Sequence, residues 1–341
     1  MATKQNADAP QPSPHRPRLE TVDAMMAIAI TLVVVGHQSV PFAPHWYSDR
    51  LHEWIYAFHM SLFIFLSGLL VRYSYRGVKC VADYGRYVGR RFTKFFFPYL
   101  AIGLIVAYAT TGFSGGDTAE QLRSVMRNLL LYPMESEASF LWYIYLLMGY
   151  YVVVPLLFAL PQRWQMVLCL ASVGLPLLPA GPMCGASLYC RYTFFFLLGI
   201  VCAQHTDELA TIRTWKWGLA ALPFAAWSVL SLTGQAPVLL PVFTGLLALP
   251  ACYVCARWLG LAGWLRRTCR QVSEGCYWIY LLQLFVVWGC AYAAIWWLPT
   301  GRYPFALFIV VSSFLAISLP LLLRRLALLI VERRKRRVST R

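Results

Sequence analysis

Apolar runs long enough to cross a bilayer recur along nearly the whole chain, and they constrain its fold more than any other feature. A helix needs about 20 apolar residues to span roughly 30 Å of hydrocarbon. The 341-residue sequence offers ten such runs, at about 22–41, 51–73, 95–111, 140–160, 164–180, 191–205, 215–234, 237–256, 275–298 and 304–331. Only 13% of the residues are charged, against roughly a quarter in a soluble domain. The predicted fold class is all-α, a polytopic integral membrane helix bundle of about ten transmembrane helices. Residues 1–18 are polar and rich in proline and read as a disordered tail. One transmembrane domain covers 19–331, and a basic tail covers 332–341. The first apolar run has no small-residue cleavage site after it and continues as a full span, so it does not read as a signal peptide. No internal repeat of the kind that builds many transporters is visible.

The net charge of +16 raises the question of a nucleic-acid partner. The distribution argues against one, because the basic residues sit in short segments between apolar runs. With the N-terminus in the cytoplasm, 25 of the 30 Lys and Arg fall in the inside segments 1–21, 72–94, 161–163, 206–216, 257–274 and the stretch from Arg324. That asymmetry is the one cytoplasmic loops carry, and it predicts both termini inside. The expected environment is the lipid bilayer of the cell (inner or plasma) membrane. The run "RRKRR" at 333–337 then meets anionic lipid.

Ionisable groups inside spans are expensive and need a partner or a task. His37 closes the first run and His59 lies in the second. At about 1.5 Å per residue, His37 is roughly 20 Å from the inner end of its span and His59 about 12 Å below the outer surface. Both fall at a depth comparable to that of His52 and Glu53, on antiparallel neighbours. Histidine titrates near neutrality, which suits general-base work, and a carboxylate such as Glu53 could fix its tautomer. The ten cysteines lie mostly within spans, where they pack as small apolar residues. "CYVC" at 252–255 lacks a second ligand pair, and no metal is expected.

The segments "DAMMAIAITLVVVGH" and "WIYAFHMSLFIFLSGLL" resemble the start of membrane acyltransferases of the acyltransferase-3 family, in particular the branch named for fucose 4-O-acetylase. Weaker similarities follow in the expected order. They are "GRRFTKFFFPYL" before the third span, "LWYI" at 141–144, "RYTFFFLLGI" at 191–200 and "SEGCYWIYLLQ" at 273–283. Three positions depart from the family pattern. Met26 stands where many relatives carry Arg or Lys, Ser61 replaces a usual Pro, and Gln283 replaces a common His.

The resemblance implies transfer of an acetyl group from acetyl-coenzyme A to a hydroxyl of a sugar or glycan. A hydroxyl is a weak nucleophile and needs a base within hydrogen-bond reach, for which His37 is the candidate, with Glu53 and His59 beside it. Ser67, His59 or Arg191 could serve the developing oxyanion. The coenzyme carries phosphates, and loop 72–94 supplies Arg72, Arg90, Arg91 and Lys94 to meet them. Trp142 is the candidate platform for a sugar ring. Two other readings are open: a transporter or flippase using His37, Glu53 and His59 as a proton relay, and a non-catalytic sensor or scaffold, suggested by Met26. A base in the outer half and a donor made in the cytosol lie on opposite sides, which implies a tunnel between helices for the donor's arm.

Overall fold

A computed structural model describes residues 20–38, 40, 42–112, 117–237, 239–297 and 304–339. The proline-rich tail 1–18, Arg302 and the last two residues of the basic tail lie outside them. All regular structure among the described residues is helical. In chain order, α1 (Glu20–Gly36) is followed by a π-helical turn (Tyr47–His52) that runs into α2 (Glu53–Tyr56) and α3 (His59–Ser74). Then come α4 (Val81–Thr111), α5 (Thr118–Leu131), α6 (Trp142–Ala159), α7 (Gln162–Ala171) and α8 (Ala186–Cys202). The chain ends with α9 (Thr206–Thr211), α10 (Thr214–Thr233), α11 (Pro241–Leu259), α12 (Gly263–Trp297) and α13 (Phe305–Ser339).

Seven helical stretches are long and apolar enough to cross a membrane, and they match the second, third, fourth, sixth, eighth, ninth and tenth apolar runs. The first and seventh runs are α1 and α10. The fifth is a helix in two pieces, because Gly174 and Pro176 interrupt the α-helical ladder. Its halves are α7 and a 3₁₀ turn at Ser172–Leu177, both packed along α8. Together they advance about 15 Å plus about 12 Å, enough to accompany α8 through most of its length. The protein is a multi-pass helical membrane protein.

Two basic segments expected as loops are largely helix. α4 starts at Val81, so Arg86, Arg90, Arg91 and Lys94 ride on its first turns, and α12 starts at Gly263. Arg86, Arg90 and Lys94 recur at i, i+4, which gives α4 an exposed cationic stripe. On α12, Arg270 and Glu274 pair at 3.1 Å, again one turn apart. Hydropathy marks only the part of a helix that sits at bilayer depth, which is why both helices begin earlier than the apolar runs do.

α1 is the central helix and packs against α3, α11, α12 and α13. Alongside it, α3 and α8 approach so closely that their backbones touch. A Cβ on Gly68 would overlap the Phe196 carbonyl oxygen, and one on Gly199 would overlap that of Phe65. Small residues at such crossings let membrane helices pack by van der Waals contact where no hydrophobic force operates between them. At the far end of α10, Gly234 adopts φ 78° and closes the helix through Gln235 N–H to the Leu230 carbonyl. This is a Schellman-type end that favours glycine, and the Arg50 guanidinium fills the space where a side chain would stand.

α12 presents a polar stripe to the interior at Ser273, Tyr277, Tyr280 and Gln283, spaced four, three and three residues apart. Ser273 Oγ donates to Asp23 Oδ1 at 2.7 Å, and the Tyr277 hydroxyl donates to the Lys94 carbonyl at 3.2 Å. Farther along, Tyr280 donates to the Phe140 carbonyl, and Gln283 reaches His37. The stripe therefore joins the start of α1 to its end.

Candidate active site

The site forms where α1 runs out. The carbonyls of a helix's last turn have no partner within the helix, and this end uses them to hold side chains. The Tyr47 hydroxyl, fully buried on the π-helical turn, is shared between the Val35 carbonyl at 2.8 Å and the Gly36 carbonyl at 3.1 Å. His37, the next residue, folds its ring back so that Nδ1 lies 2.7 Å from the Val33 carbonyl oxygen. A carbonyl oxygen can only accept, so Nδ1 carries the proton and Nε2 keeps a free lone pair.

His59 repeats the device on the neighbouring element. The chain breaks between α2 and α3 at Phe58, where φ is −143°. His59 Nδ1 lies 2.7 Å from the Ile55 carbonyl, again four residues back, with the side chain 1% exposed. Both imidazoles are thereby fixed with Nε2 as an acceptor.

Tyr56 joins them. Its ring stacks on His52 at 4.0 Å between centroids, tilts against His59 at 4.8 Å and meets His37 edge-on at 6.3 Å. The absence of a side chain at Gly36 permits this approach, since a Cβ there would meet Tyr56 Cε2 at 3.1 Å and Ile55 Cγ2 at 3.2 Å. Glu53 is brought to His52, with which it interacts electrostatically, and it makes no hydrogen bond to His37 or His59 among the described residues. It belongs to α2, across the break at Phe58 from His59. The tautomers of both histidines are set by backbone carbonyls.

The remaining sequence candidates occupy two places. Trp142 stacks on Tyr192 at 5.1 Å, Tyr192 neighbours Tyr56, and Arg191 is next to the Tyr192 hydroxyl. Trp142 thus adjoins the histidine cluster through two aromatic rings. The cations lie at the other end. Arg72 closes α3, thirteen residues or about 20 Å from His59, and its guanidinium lies over Phe158 at 5.2 Å. Arg91 lies over Tyr151 at 5.0 Å and donates to Ser74 Oγ at 3.1 Å, while the Lys94 ammonium lies near Phe95 and Tyr277. Arg90 is exposed. Ser67 hydrogen-bonds Tyr143 at 2.6 Å and the Phe63 carbonyl at 2.8 Å, roughly 12 Å along α3 from His59 and away from the cluster. Met26 is a core residue, 6% exposed.

The family model described as "Acyltransferase domain" matches residues 19–325. The chain belongs to this acyltransferase family. Over 218 residues it is 28% identical to "Nodulation protein NolL" of Sinorhizobium fredii (strain NBRC 101917 / NGR234), a stretch making up 61% of this chain and 55% of that protein. The chain thus spans about half the length of the curated relative it matches. No solved structure matches it.

In this membrane acyltransferase, the residues gathered around His37 and His59 include three tyrosines that the sequence did not single out, and Gln283, which it marked only as standing in place of a common His. Tyr47, Tyr56, Tyr192 and Gln283 are all drawn in from separate elements. Gln38 is a further one: Ser312 Oγ donates to its Oε1 at 2.8 Å, and its Nε2 donates to Ser313 Oγ at 3.2 Å. These bonds moor the chain beyond His37 to α13. For Gln283, a lone amide in an intramembrane run, as in "LLQLFVV", is a second sequence signal beside its departure from the family pattern.

Proposed function

We propose that the protein is an O-acetyltransferase that moves an acetyl group from acetyl-coenzyme A to a hydroxyl of a sugar or glycan, with His37 as the general base. The observation that carries this reading is the His37 ring itself. Its Nδ1–H is committed to the Val33 carbonyl, which leaves Nε2 as the proton acceptor of the ring in a chain whose family transfers acyl groups.

The acceptor hydroxyl donates to His37 Nε2, and its oxygen attacks the thioester carbonyl as the proton moves to the imidazole. Collapse of the tetrahedral adduct breaks the carbon–sulfur bond, and the imidazolium returns the proton to the departing thiolate. His59, held in the same tautomer, offers a second acceptor nitrogen that orients the acceptor's hydroxyls. Trp142, backed on one side by the buried Tyr192, offers its other face to the apolar side of a sugar ring. Glu53 belongs to the rim beside His52.

The donor's phosphates fit the opposite end. Arg86, Arg90 and Lys94 share one face of α4, and Arg91 and Arg72 stand beside it, a density of guanidinium forks suited to phosphate oxygens. The basic segments mark this end as cytoplasmic, and the acetyl-bearing arm extends from it toward the histidines through the bundle. The host membrane on this reading is the cell's inner or plasma membrane.

The test is purified protein in nanodiscs with labelled acetyl-coenzyme A and a panel of glycosides. His37→Ala is expected to abolish transfer with donor binding retained, and the Arg90→Ala/Arg91→Ala double variant to weaken donor binding about tenfold or more. Undiminished transfer by His37→Ala overturns the assignment of the base. No transfer by the wild type to any glycoside, with donor binding unaffected by the double variant, overturns the activity.

A further inference from the structure

The base needs a neighbour to hold it, and the structure supplies one from a helix 246 positions along the chain. Gln283 is 0% exposed on α12. A buried amide without a hydrogen bond is costly, and among the described residues its side chain comes within hydrogen-bond distance of His37 Nδ1 alone, at 3.3 Å. The other end of the amide, like the first, is buried, and it has no partner among the described residues.

An amide group has the same shape in both of its orientations, so the hydrogen-bonding surroundings decide which way it faces. Nδ1–H already points at the Val33 carbonyl, 2.7 Å away. An amide N–H facing Nδ1 would set donor against donor. With the amide turned round, Oε1 faces Nδ1–H and accepts a share of it. The turned amide replaces a donor clash by a hydrogen bond and leaves only its Nε2 end without a partner among the described residues.

We propose that Gln283 is a positioning residue for His37: its amide oxygen, together with the Val33 carbonyl, grips Nδ1–H and keeps Nε2 bare toward the acceptor hydroxyl. This rests on the reading of His37 as the base. The titratable groups facing His37 are His52 on the π-helical turn and His59 on α3, with the Tyr56 hydroxyphenyl ring beside them. No carboxylate hydrogen-bonds the ring among the described residues, so the grip is a neutral one. A neutral acceptor orients the imidazole without tethering a proton to it, which leaves the ring free to accept a proton in one step and release it in the next.

The deciding measurement reads the proton state of His37 directly and needs no acceptor; the turnover measured beside it uses the same panel of glycosides. Protein in nanodiscs is treated with diethyl pyrocarbonate, which reacts with unprotonated imidazole, and His37 modification is mapped by mass spectrometry across a pH series. Gln283→Glu puts a carboxylate against Nδ1–H and is expected to move the midpoint of His37 reactivity to higher pH by about one unit or more. Gln283→Met removes the acceptor with little change in volume and is expected to move the midpoint to lower pH. Acetyl-coenzyme A turnover by the Met variant is expected to fall about tenfold or more in kcat with KM for the donor unchanged, and the Glu variant to regain activity at raised pH. Midpoints in both variants that coincide with wild type overturn the proposal. If the Glu variant does not fold, the Met variant decides it by the same measurement. Failure of the base assignment is distinguishable, because it shows as activity retained in His37→Ala whatever the midpoints do.

Discussion

Replacing Tyr47 by Phe removes one oxygen and leaves the packing in place. The ring keeps its edge-on contact with Phe305 at 5.1 Å and its tilted contact with His52 at 6.1 Å. What is lost is the hydroxyl shared by the Val35 and Gly36 carbonyls at the end of α1. The Val35 carbonyl retains a long bond from the Gln38 backbone N–H at 3.3 Å, and the Gly36 carbonyl loses its Tyr47 donor. Leaving a buried acceptor short of a partner costs about 1–3 kcal/mol, and the expected loss of stability lies in that range. His37 hangs from the same last turn, so fraying there displaces its ring. A displacement of about 1 Å can cost on the order of a hundredfold in rate, and a fall in kcat of at least tenfold is expected for Tyr47→Phe. KM for acetyl-coenzyme A should not change, since the α4 cations lie at the opposite end of the bundle. Thermal unfolding in detergent and steady-state kinetics measure the two effects. Wild-type stability together with wild-type kcat would refute the reasoning, and a defect confined to donor KM would show that the α1 end is not the catalytic end.

Gly199→Ala should be more damaging than an ordinary glycine-to-alanine change in a helix, because its Cβ meets backbone on α3. The expected cost is about 1–3 kcal/mol or more, read as lost monodisperse protein and a lower unfolding temperature. Ser273→Ala removes a hydrogen bond to the mostly buried Asp23 carboxylate, for an expected loss of about 1.5–3 kcal/mol. Asp23 keeps its other contacts, so the variant should fold, and unfolding temperatures of the single and Asp23→Asn variants in a double-mutant cycle measure the coupling.

The membrane bundle was legible because bilayer thickness imposes a minimum length on each apolar run, and positive charge marks one end of each. The limits of that reading are equally physical. Arg86, Arg90 and Lys94 look like a loop to a hydropathy window but continue α4 as an exposed face. Pro176 breaks the fifth run without making it less apolar. Within the site, "VVVGH" and "FHM" exposed both histidines, as polar residues stranded in apolar runs. Their partners were not legible. A carboxylate nearby in sequence suggested Glu53 as the tautomer-fixing group, whereas the carbonyls of Val33 and Ile55 do that work, and a main-chain oxygen leaves no mark in a sequence. The approach of Gln283 depends on how α12 lies against α1, a tertiary relation with no local signature.

The polar stripe on α12 makes that helix behave like a keyed shaft. Its four side chains engage Asp23, Lys94, Phe140 and His37 at successive heights, so turning the helix about its axis would disengage all of them together. Deleting one residue after Ser273 would rotate every later position by about 100° relative to the first, carrying Gln283 away from His37 while Ser273 stayed on Asp23. The basic end and the histidine end of the protein are therefore held in one angular register.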